Sequence, residues 1–450
     1  MDSPLPAVEN THIERQFGLF EFIRRTREDQ LSILVPDMYD RRLMSGRILG
    51  LRWFILNWPE YIEHVLLTNH QNYVKGRFSD ALLMPVVGQG MLTSEGDVWR
   101  RRRRIAAPAF HHRSVAGFVD TMARSTASML ARWDGRNEAF DIAAEMTELT
   151  LDVITRTMFS ADLGGEASRV RQLMHTVLRS NRPSMLDLIG VPAWVPRFGS
   201  RSMRRAIAEL DLIVQRILSS RRASGGDRGD LLSLLLAGRD EETGDGLNDR
   251  QVRDEIMTIF LAGHETTANA LAFAWYLLAT HPEVEARLHE ELRDVLGGRP
   301  PEHADLVRLR YTRMVFEETL RLYPPAYAIG RAATGTDVIG GVTVPKGAAI
   351  TIYTYVLHRN PALWPDPERF DPERFAPERA AGRHRFAYLP FGGGPRICIG
   401  QGFAMAEAMI VIASVAQRFR FSLVPGRSVQ PIGLLTLRPK DGVWVTAAKR

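Results

Sequence analysis

Cysteine is almost absent from this chain, since Cys398 is the only one among 450 residues. A single thiol can form neither an internal disulfide nor a cysteine-ligated iron–sulfur cluster nor a multi-cysteine zinc site. Nothing in the sequence therefore requires an oxidising compartment.

Long apolar runs are also missing. The nearest approach, residues 256–279, contains His264, Glu265 and Asn269, and a charge at the centre of a membrane helix costs about 2.5 kcal/mol or more. We therefore expect this segment to be a helix buried in protein, with no membrane span. The first 18 residues have no basic stretch followed by an apolar core. We expect no signal peptide and a cytoplasmic location.

Charge is unevenly balanced, with a net charge of +6 that comes mostly from arginine. Hydrophobic residues make up 45% and charged residues 24%, as in an ordinary globular protein. Nucleic acid, an anionic membrane surface or an acidic protein could each bind a basic surface. No recognisable nucleic-acid module accompanies the charge, so we expect an acidic protein partner and no nucleic acid.

Helical periodicity dominates residues 59–321, while strand-like runs are fewer. We predict a mostly α fold with smaller β-sheets, whose β-rich parts lie near residues 46–56, 336–357 and 418–447. The turn dipeptide Asp441-Gly442 stands between "LLTLRP" and "VWVTA", and this pattern predicts a terminal hairpin.

The one cysteine stands in "FGGGPRICIG", residues 391–400. Glycines let backbone N–H groups approach a sulfur closely, and hydrogen bonds to a thiolate stabilise its charged form. The following apolar run predicts a helix that begins just after Cys398, whose positive N-terminal end would lower the thiol pKa further. This favours a reactive or metal-bound thiolate; the alternative is a buried structural cysteine in a turn.

The second motif is "AGHETT", residues 262–267, in the middle of the long apolar helix. A carboxyl group buried there costs several kcal/mol unless it is protonated or partnered. Glu265 and Thr266 form an acid–alcohol pair, while Ala262 and Gly263 leave room for a flat ligand. A zinc-protease helix would need a second histidine where Ala268 stands, so that interpretation fails. The alternative is a polar notch on a core helix.

The third and fourth motifs combine arginine with a carboxylate or an indole. In "EETLRLYPP" Glu318 and Arg321 are three residues apart on a predicted helix and can pair, and "DPERF" could bring Arg374 to the same glutamate. In "WRRRRR" Trp99 and Arg103 are four apart and would point the same way toward a carboxylate, with the neighbouring arginines toward solvent. Each motif alone is also typical of an ordinary helix surface.

Together the four motifs resemble those of the cytochrome P-450 superfamily, the heme-thiolate monooxygenases. "FGGGPRICIG" matches the family's F-x-x-G-x-R-x-C-x-G signature at every fixed position. "AGHETT" is similar to the oxygen-activation motif of the long distal helix, "ETLR" to the E-x-x-R motif, and "DPERF" to its aromatic-arginine partner. The resemblance runs from about residue 40 to the C-terminus. It implies one heme domain, residues 41–450, after an N-terminal segment, residues 1–40.

The resemblance also implies roles for individual residues. Cys398 becomes the proximal iron ligand, Glu265 and Thr266 the proton-delivering pair, and Glu318, Arg321 and Arg374 a structural triad. The remaining expected heme contacts, at the propionates, are Trp99, Arg103, Arg331 and Arg396. The implied fold holds the heme between the long distal helix and the helix that follows the cysteine.

The implied activity is insertion of one oxygen atom from O2 into a lipophilic substrate by heme b (iron protoporphyrin IX). Without a membrane anchor or a fused flavin module, the chain resembles the soluble bacterial type. NAD(P)H electrons would then arrive indirectly, through an acidic ferredoxin or flavodoxin with its reductase. Alternatives are a heme-thiolate peroxygenase or isomerase that does not use O2, and a non-catalytic heme sensor or carrier.

The expected pocket wall is almost wholly apolar. By resemblance the wall is formed by residues 80–90, 182–196, 326–329 and 433–436 and by the distal helix. The apolar side chains that these segments would contribute to the wall are Leu82, Leu83, Met84, Val86, Val87, Leu186, Ile189, Ile329, Leu434 and Leu435. Each buried CH₂ of an apolar ligand gains about 0.8 kcal/mol. We therefore expect a terpenoid, a steroid or a fatty acid, whose carboxylate Arg182 and Arg197 could meet at the entrance. Core burial without a pocket is the alternative for any one of these side chains.

Overall fold

The computed structural model describes residues 19–450 apart from residue 49, residues 77–82, 137, 160–168, 171, 175, 178–199 and 225–227. Its helices are α1 (Leu19–Glu28), α2 (Asp37–Asp40), α3 (Pro59–Glu63), α4 (Gly96–Ala106), α5 (His112–Trp133), α6 (Ile142–Phe159), α7 (Ser200–Ser224), α8 (Leu231–Ala237), α9 (Asp249–Thr280), α10 (Pro282–Leu296), α11 (Arg310–Leu322), α12 (Thr354–Leu357), α13 (Pro377–Ala380) and α14 (Gln401–Arg418). Its strands are β1 (Leu43–Ile48), β2 (Leu51–Leu56), β3 (Tyr73–Val74), β4 (Phe140–Asp141), β5 (Ile329–Ala333), β6 (Asp337–Ile339), β7 (Val342–Val344), β8 (Ala349–Ile352), β9 (Phe419–Leu423), β10 (Pro431–Gly433), β11 (Leu437–Pro439) and β12 (Trp444–Lys449).

The longest of these helices, α9, runs through the core. It begins with a capping box in which the Asn248 side chain accepts the Gln251 N–H and the Gln251 side chain accepts the Asn248 N–H, both at 3.0 Å. Beyond its first turn it packs against α6, α7, α11 and α14 and is buried on nearly all sides. Burial all round explains an apolar pattern without a polar stripe. The buried helix expected from the sequence is confirmed, and no helix among the described residues has the length and hydropathy to cross a membrane.

The largest sheet among the described residues joins distant parts of the chain in the order β1-β2-β8-β5-β3. β1 and β2 form an antiparallel hairpin, β2 pairs with β8 in parallel, and β8 pairs with β5. β5 lies before the β-rich region expected at residues 336–357, and residues 354–357 of that region are helical. Gly330, Arg331 and Ala332 have little strand preference, so pairing with β8 decides the conformation there.

The hairpin predicted around Asp441-Gly442 is wrong. The strand before this turn, β11, pairs with β10, whereas the strand after it, β12, pairs with β9 and β4. Gly442 does adopt a turn conformation at φ 78°, so the local signal was correct. The partners of the two strands are set by packing and not by the turn between them.

The described part of the N-terminal segment packs on the rest of the chain. The Asp29 carboxylate accepts the Gly433 N–H at 2.8 Å, and Met38 packs in a small apolar cluster with Met44 and Ile55. The division at residue 41 into a segment and one heme domain stays a prediction.

Candidate active site

The cysteine loop is held against the body of the protein by close backbone packing. Gly394 has φ 69°, and a Cβ atom there would overlap the carbonyl of Leu66. Only glycine therefore fits this position. The Cys398 N–H donates to the Phe391 carbonyl at 2.9 Å, which closes the loop, and α14 begins three residues after the cysteine. The predicted helix start is confirmed.

The thiol of Cys398 combines surface exposure with a desolvated position. The side chain is exposed and free of any disulfide, yet burial raises the pKa of the thiol, against the opposing effects of the Gly400 N–H and Arg103. A thiol that lines an enclosed space would have both accessible surface and a desolvated position. The expectation that the loop and helix would lower the pKa is corrected, because desolvation is the larger effect.

Helix α4 brings Trp99 and Arg103 to the cysteine loop, on the same side of the helix as their spacing predicts. Arg103 Nη1 donates to the carbonyl of Ile397, the residue before the cysteine, at 2.8 Å. The guanidinium of Arg396 lies over the Trp99 ring at 4.3 Å. Two successive turns of α4 thus contact the loop at Arg396 and at the next residue, Ile397.

A second guanidinium, that of Arg331 on β5, lies near Arg396. Arg396 donates to the Ser94 carbonyl at 3.0 Å and to the Glu95 carboxylate. Arg331 donates to the carbonyl of its neighbour Gly330 at 2.8 Å, and its pKa falls to about 10 because of burial and repulsion from Arg396. The positive charge on Arg331 is thus disfavoured where it lies, and a bound anion would relieve it.

The other arginines of α4 do not all point to solvent, and that expectation is corrected. Arg102 is buried in an ion pair with Glu255 of α9 at 2.9 Å. Arg104 pairs with Asp240 and Glu242, and Arg101 donates to the Gly246 carbonyl at 2.9 Å. The loop between α8 and α9 supplies these acceptors. An acidic loop of the same chain therefore takes up charge that the sequence alone assigned to the surface.

The face of α9 that carries Thr266 opens toward the site. Ala262 is exposed in the middle of this otherwise buried helix, and Thr266 is half-buried one turn later. The Thr266 hydroxyl donates to the Ala262 carbonyl at 2.8 Å, which leaves its oxygen lone pairs able to accept. Gly263 faces Ile154 of α6, so of the two small residues Ala262 is the one on the open face.

Glu265 points away from that face, toward the turn between β10 and β11. The Thr436 hydroxyl bonds the carboxyl group, and the Asn269 amide donates to Thr436 Oγ1 at 3.2 Å. Burial raises the pKa of Glu265, against the Thr436 bond and the charge of Arg438. The second carboxyl oxygen, Oε2, is buried without a hydrogen-bond partner in the described residues. The carboxyl group therefore tends to hold a proton.

The predicted Glu–Arg–Arg set is assembled in the core. Arg321 Nε and Nη2 donate to the Glu318 carboxylate at 2.7 and 2.8 Å, and Arg374 Nε lies 3.3 Å from it. Arg374 also donates to the carbonyls of Pro365 and Asp366 at 2.6 and 2.7 Å. The triad ties α11 to the irregular segment that leads to the cysteine loop.

His358 was missed by the sequence reasoning, and it connects this triad to the cysteine loop. The Leu389 N–H donates to His358 Nε2 at 2.9 Å, so Nε2 is unprotonated and Nδ1–H donates to the Arg321 carbonyl at 3.2 Å. Burial and the charge of Arg321 lower its pKa to about 3. Thr436 lies in the segment 433–436 that was expected to line the pocket, but its bond to Glu265 was not predicted. No local signal in the sequence marks that contact or the position of His358.

The pocket wall expected from the sequence is described only in part. Val86 and Val87 are fully buried in the main core, whereas Met84 is exposed. The remaining described members are half-buried: Leu83, Ile329, Leu434 and Leu435. Leu82, Leu186, Ile189, Arg182 and Arg197 lie outside the described residues.

An iron porphyrin fits this set of groups. A thiol with free surface can ligate iron, and metal coordination deprotonates a thiol even where burial opposes it. Ala262 offers an exposed helix face for a flat ring, and Arg331 is a half-buried, partly desolvated cation suited to a propionate. Arg103 donates to the carbonyl of the residue before the thiol, and Arg396, which lies over the Trp99 ring, is near Arg331.

Comparison with known proteins agrees with this geometry. The family model for Cytochrome P-450 matches residues 42–444. "Cyclooctatin synthase" of Streptomyces melanosporofaciens is 41% identical over 83% of this chain and 81% of that protein. "Cyclooctat-9-en-7-ol 5-monooxygenase" of the same organism is 39% identical over 86% and 84%. A crystal structure of the cytochrome P-450DA heme domain, 28% identical, superposes with a TM-score of 0.84 over 100% of this chain and 98% of that one.

Proposed function

Because this chain belongs to the cytochrome P-450 family, we propose that it oxygenates a cyclic terpenoid alcohol at a heme held by Cys398. The chain is a heme-thiolate monooxygenase with the P-450 fold, and it uses heme b, O2 and electrons that come from NAD(P)H through redox partner proteins. Its substrate is lipophilic. The terpenoid class, the site residues and the nature of the partner are our proposals.

The substrate class rests on the relatives together with the wall of the site. The name of one relative states oxygenation at position 5 of cyclooctat-9-en-7-ol, a cyclic alkenol. The described wall residues Leu83, Leu434 and Leu435 are apolar and half-buried, which suits a hydrocarbon skeleton. A cyclic alkenol skeleton favours the terpenoid over the fatty acid among the expected classes.

Cys398 is the proposed iron ligand, with Arg331, Arg396, Trp99 and Arg103 around the propionates. When bound, heme b supplies the iron at which O2 is activated and from which one oxygen atom enters the substrate. The exposed thiol in a desolvated position carries this assignment. It rests on the fit of the groups described above.

Proton delivery is assigned to Thr266 and Glu265. Thr266 presents a hydroxyl on the open face of α9, and its bond to the Ala262 carbonyl fixes the orientation of that hydroxyl. Burial raises the pKa of Glu265 in the adjacent position, which favours its protonated form. The intact pair favours a dioxygen-dependent enzyme over a peroxygenase, an isomerase or a heme sensor.

The test is oxygenation of a cyclic terpenoid alcohol by the holoprotein with a reconstituted electron-transfer system. Such compounds should shift the ferric iron toward high spin, and Thr266→Ala should divert reducing equivalents from product to peroxide with little change in substrate affinity. Thr267→Ala is the matched control, because the Thr267 hydroxyl also bonds a helix carbonyl, that of Gly263 at 3.2 Å, but is buried. If only strongly polar ligands shift the spin state, the proposed substrate class is wrong.

The proposed electron donor is a separate acidic ferredoxin or flavodoxin that docks at the cysteine loop. A surface cavity of about 360 Å³ has this loop as one wall, with Gly392, Gly393 and Ile397, and Arg313 and Arg385 line its other side. All four arginines have acidic neighbours within the chain, but the side chains of Arg313 and Arg385 are 61% and 64% exposed, whereas those of Arg101 and Arg104 are 27% and 31% exposed. We therefore place the docking charges at Arg313 and Arg385 instead.

Ionic strength tests this donor surface. The Debye length is about 10 Å at 0.1 M salt, so charge-steered docking weakens as salt is added. The first electron transfer should slow with salt and with Arg385→Glu, but not with Arg427→Glu, whose guanidinium lies over Trp444 outside the cavity. A rate that responds to neither salt nor Arg385→Glu would rule out an acidic donor at this surface.

A further inference from the structure

The open face of α9 is closed at one end by residues 83–91, a short helix at 83–87 followed by a turn, which we call the loop at residues 83–91. Asp254, Thr258, Ala262 and Thr266 follow one another at four-residue spacing, so each side chain lies next to the following one along the helix. Ala262 and Thr266 have free surface, whereas Asp254 and Thr258 are covered. A Cβ atom on Gly88 would overlap the Asp254 carboxylate and one on Gly90 the Thr258 hydroxyl, so the loop backbone lies directly on this face.

Two adjacent carboxylates of α9 hold the loop through its backbone. Asp254 accepts the Gln89 N–H at 3.1 Å, and Glu255 accepts the Met91 N–H at 3.1 Å. Glu255 is itself paired with Arg102 of α4. Both carboxylates are buried, and hydrogen bonds to buried charged acceptors are stronger than neutral ones. The end wall of the site is therefore fixed by charge and not by apolar packing alone.

Arg253 connects this anchor to a third element. Its Nη1 donates to the free side of the Asp254 carboxylate at 3.0 Å, and its Nε donates to Asp211 of α7 at 2.6 Å. The Arg253 side chain is only 15% exposed, while that of Asp211 is 33% exposed. A single guanidinium thus links α7 to the helix that carries Thr266 and, through Asp254, to the loop at residues 83–91.

We propose that Arg253 is a positioning residue of the substrate pocket, which couples α7 to the loop at residues 83–91 through Asp211 and Asp254. While the chain of bonds from Asp211 to Gln89 is intact, α7 and the loop move together and a bulky ligand leaves slowly. Loss of either ion-pair partner lets the loop leave α9 independently. The inference rests on the proposed function in taking the Thr266 face as the substrate side.

The first measurement is hydrogen exchange of the loop amides in the holoprotein. Arg253→Gln and Asp211→Asn should each speed exchange in the peptide that covers residues 83–91, because the Gln89 N–H is released more often. Arg222→Gln is the matched control. Arg222 pairs with Asp249, which joins the same two helices, but both side chains are more than half exposed. Equal exchange in Arg253→Gln and Arg222→Gln would overturn the proposal.

The second measurement is the rate at which 4-phenylimidazole leaves the ferric iron, followed by the Soret band. We expect about a fivefold faster release in Arg253→Gln and in Asp211→Asn, with no further gain in the double variant, because both changes break one interaction. Cyanide, a small ligand, should bind and leave as in the parent protein. Additive effects of the two changes, or release rates equal to those of Arg222→Gln, would refute the coupling.

The two measurements also test this inference independently of the proposed substrate class. An azole binds the iron whatever the natural substrate is, so the release rates remain informative if no terpenoid shifts the spin state. If Arg253→Gln does not retain heme, the more exposed Asp211→Asn decides the question by the same two measurements.

Discussion

His358 should make the stability of this protein depend on pH in a way that one substitution removes. Its pKa is about 3 in the folded chain, against about 6.5 for an unperturbed histidine. Below about pH 6.5 the unfolded chain takes up a proton at this site and the folded chain does not, so stability falls as pH falls toward 3. Each pH unit corresponds to about 1.4 kcal/mol. Between about pH 6.5 and 5 the loss is therefore about 2 kcal/mol.

His358→Gln isolates this effect because glutamine can keep both hydrogen bonds without titrating. Its side-chain oxygen can accept the Leu389 N–H and its amide can donate to the Arg321 carbonyl, as the neutral histidine does. Urea unfolding of the two holoproteins at about pH 7, 6 and 5 gives the difference in free energy at each pH. The parent should lose about 2 kcal/mol relative to the variant over this range. A difference that does not change with pH would refute the buried, neutral histidine.

Two further substitutions test the site with internal controls. Thr436→Val removes a hydrogen bond that lowers the pKa of Glu265, so this pKa should rise and the alkaline limb of the pH profile of coupled oxygenation should shift to higher pH. Thr436→Ser keeps the hydroxyl and should restore the parent pH profile. An unchanged pH profile in Thr436→Val would contradict the contact between Thr436 and Glu265. Gly394→Ala should abolish heme incorporation, because its Cβ would overlap the Leu66 carbonyl. The control is Gly392→Ala, at φ 74° with no atom near its Cβ, which should introduce backbone strain without an overlap. Equal heme contents of the two variants, read from the Soret absorbance, would show that the overlap is relieved.

What the sequence predicted correctly depends on short spacing along the chain. Glu318 and Arg321 are three residues apart on a helix, and this separation alone brings them to one face. Trp99 and Arg103 lie on one side of α4 for the same reason, and the start of α14 follows from the apolar run after Cys398. Such features need no knowledge of the rest of the fold.

What the sequence did not predict depends on residues far apart in the chain. Glu265 meets Thr436 across about 170 positions, a contact that no periodicity encodes. The turn at Asp441-Gly442 was read correctly but its flanking strands were not, because strand partners are chosen by the core and not by the turn. His358 was missed for the same reason, because it bonds Arg321 of α11 and Leu389 before the cysteine loop, both more than 30 residues away in the chain.

The arginines show most clearly that the role of a charged motif depends on the partners that the fold brings to it. The run of arginines at residues 100–104 suggested a basic surface, yet remote carboxylates, Glu255 and Asp240 among them, pair with Arg102 and Arg104. Burial of a charge is tolerable when a partner is buried with it and costly when none is. Arg331 belongs to no run and differs from these paired arginines: it is half-buried, burial lowers its pKa, and its side chain donates to the Gly330 carbonyl. We propose that this cation, which a bound anion would stabilise, lies on the heme side of the site. The sequence motif alone did not separate it from the arginines that pair within the chain.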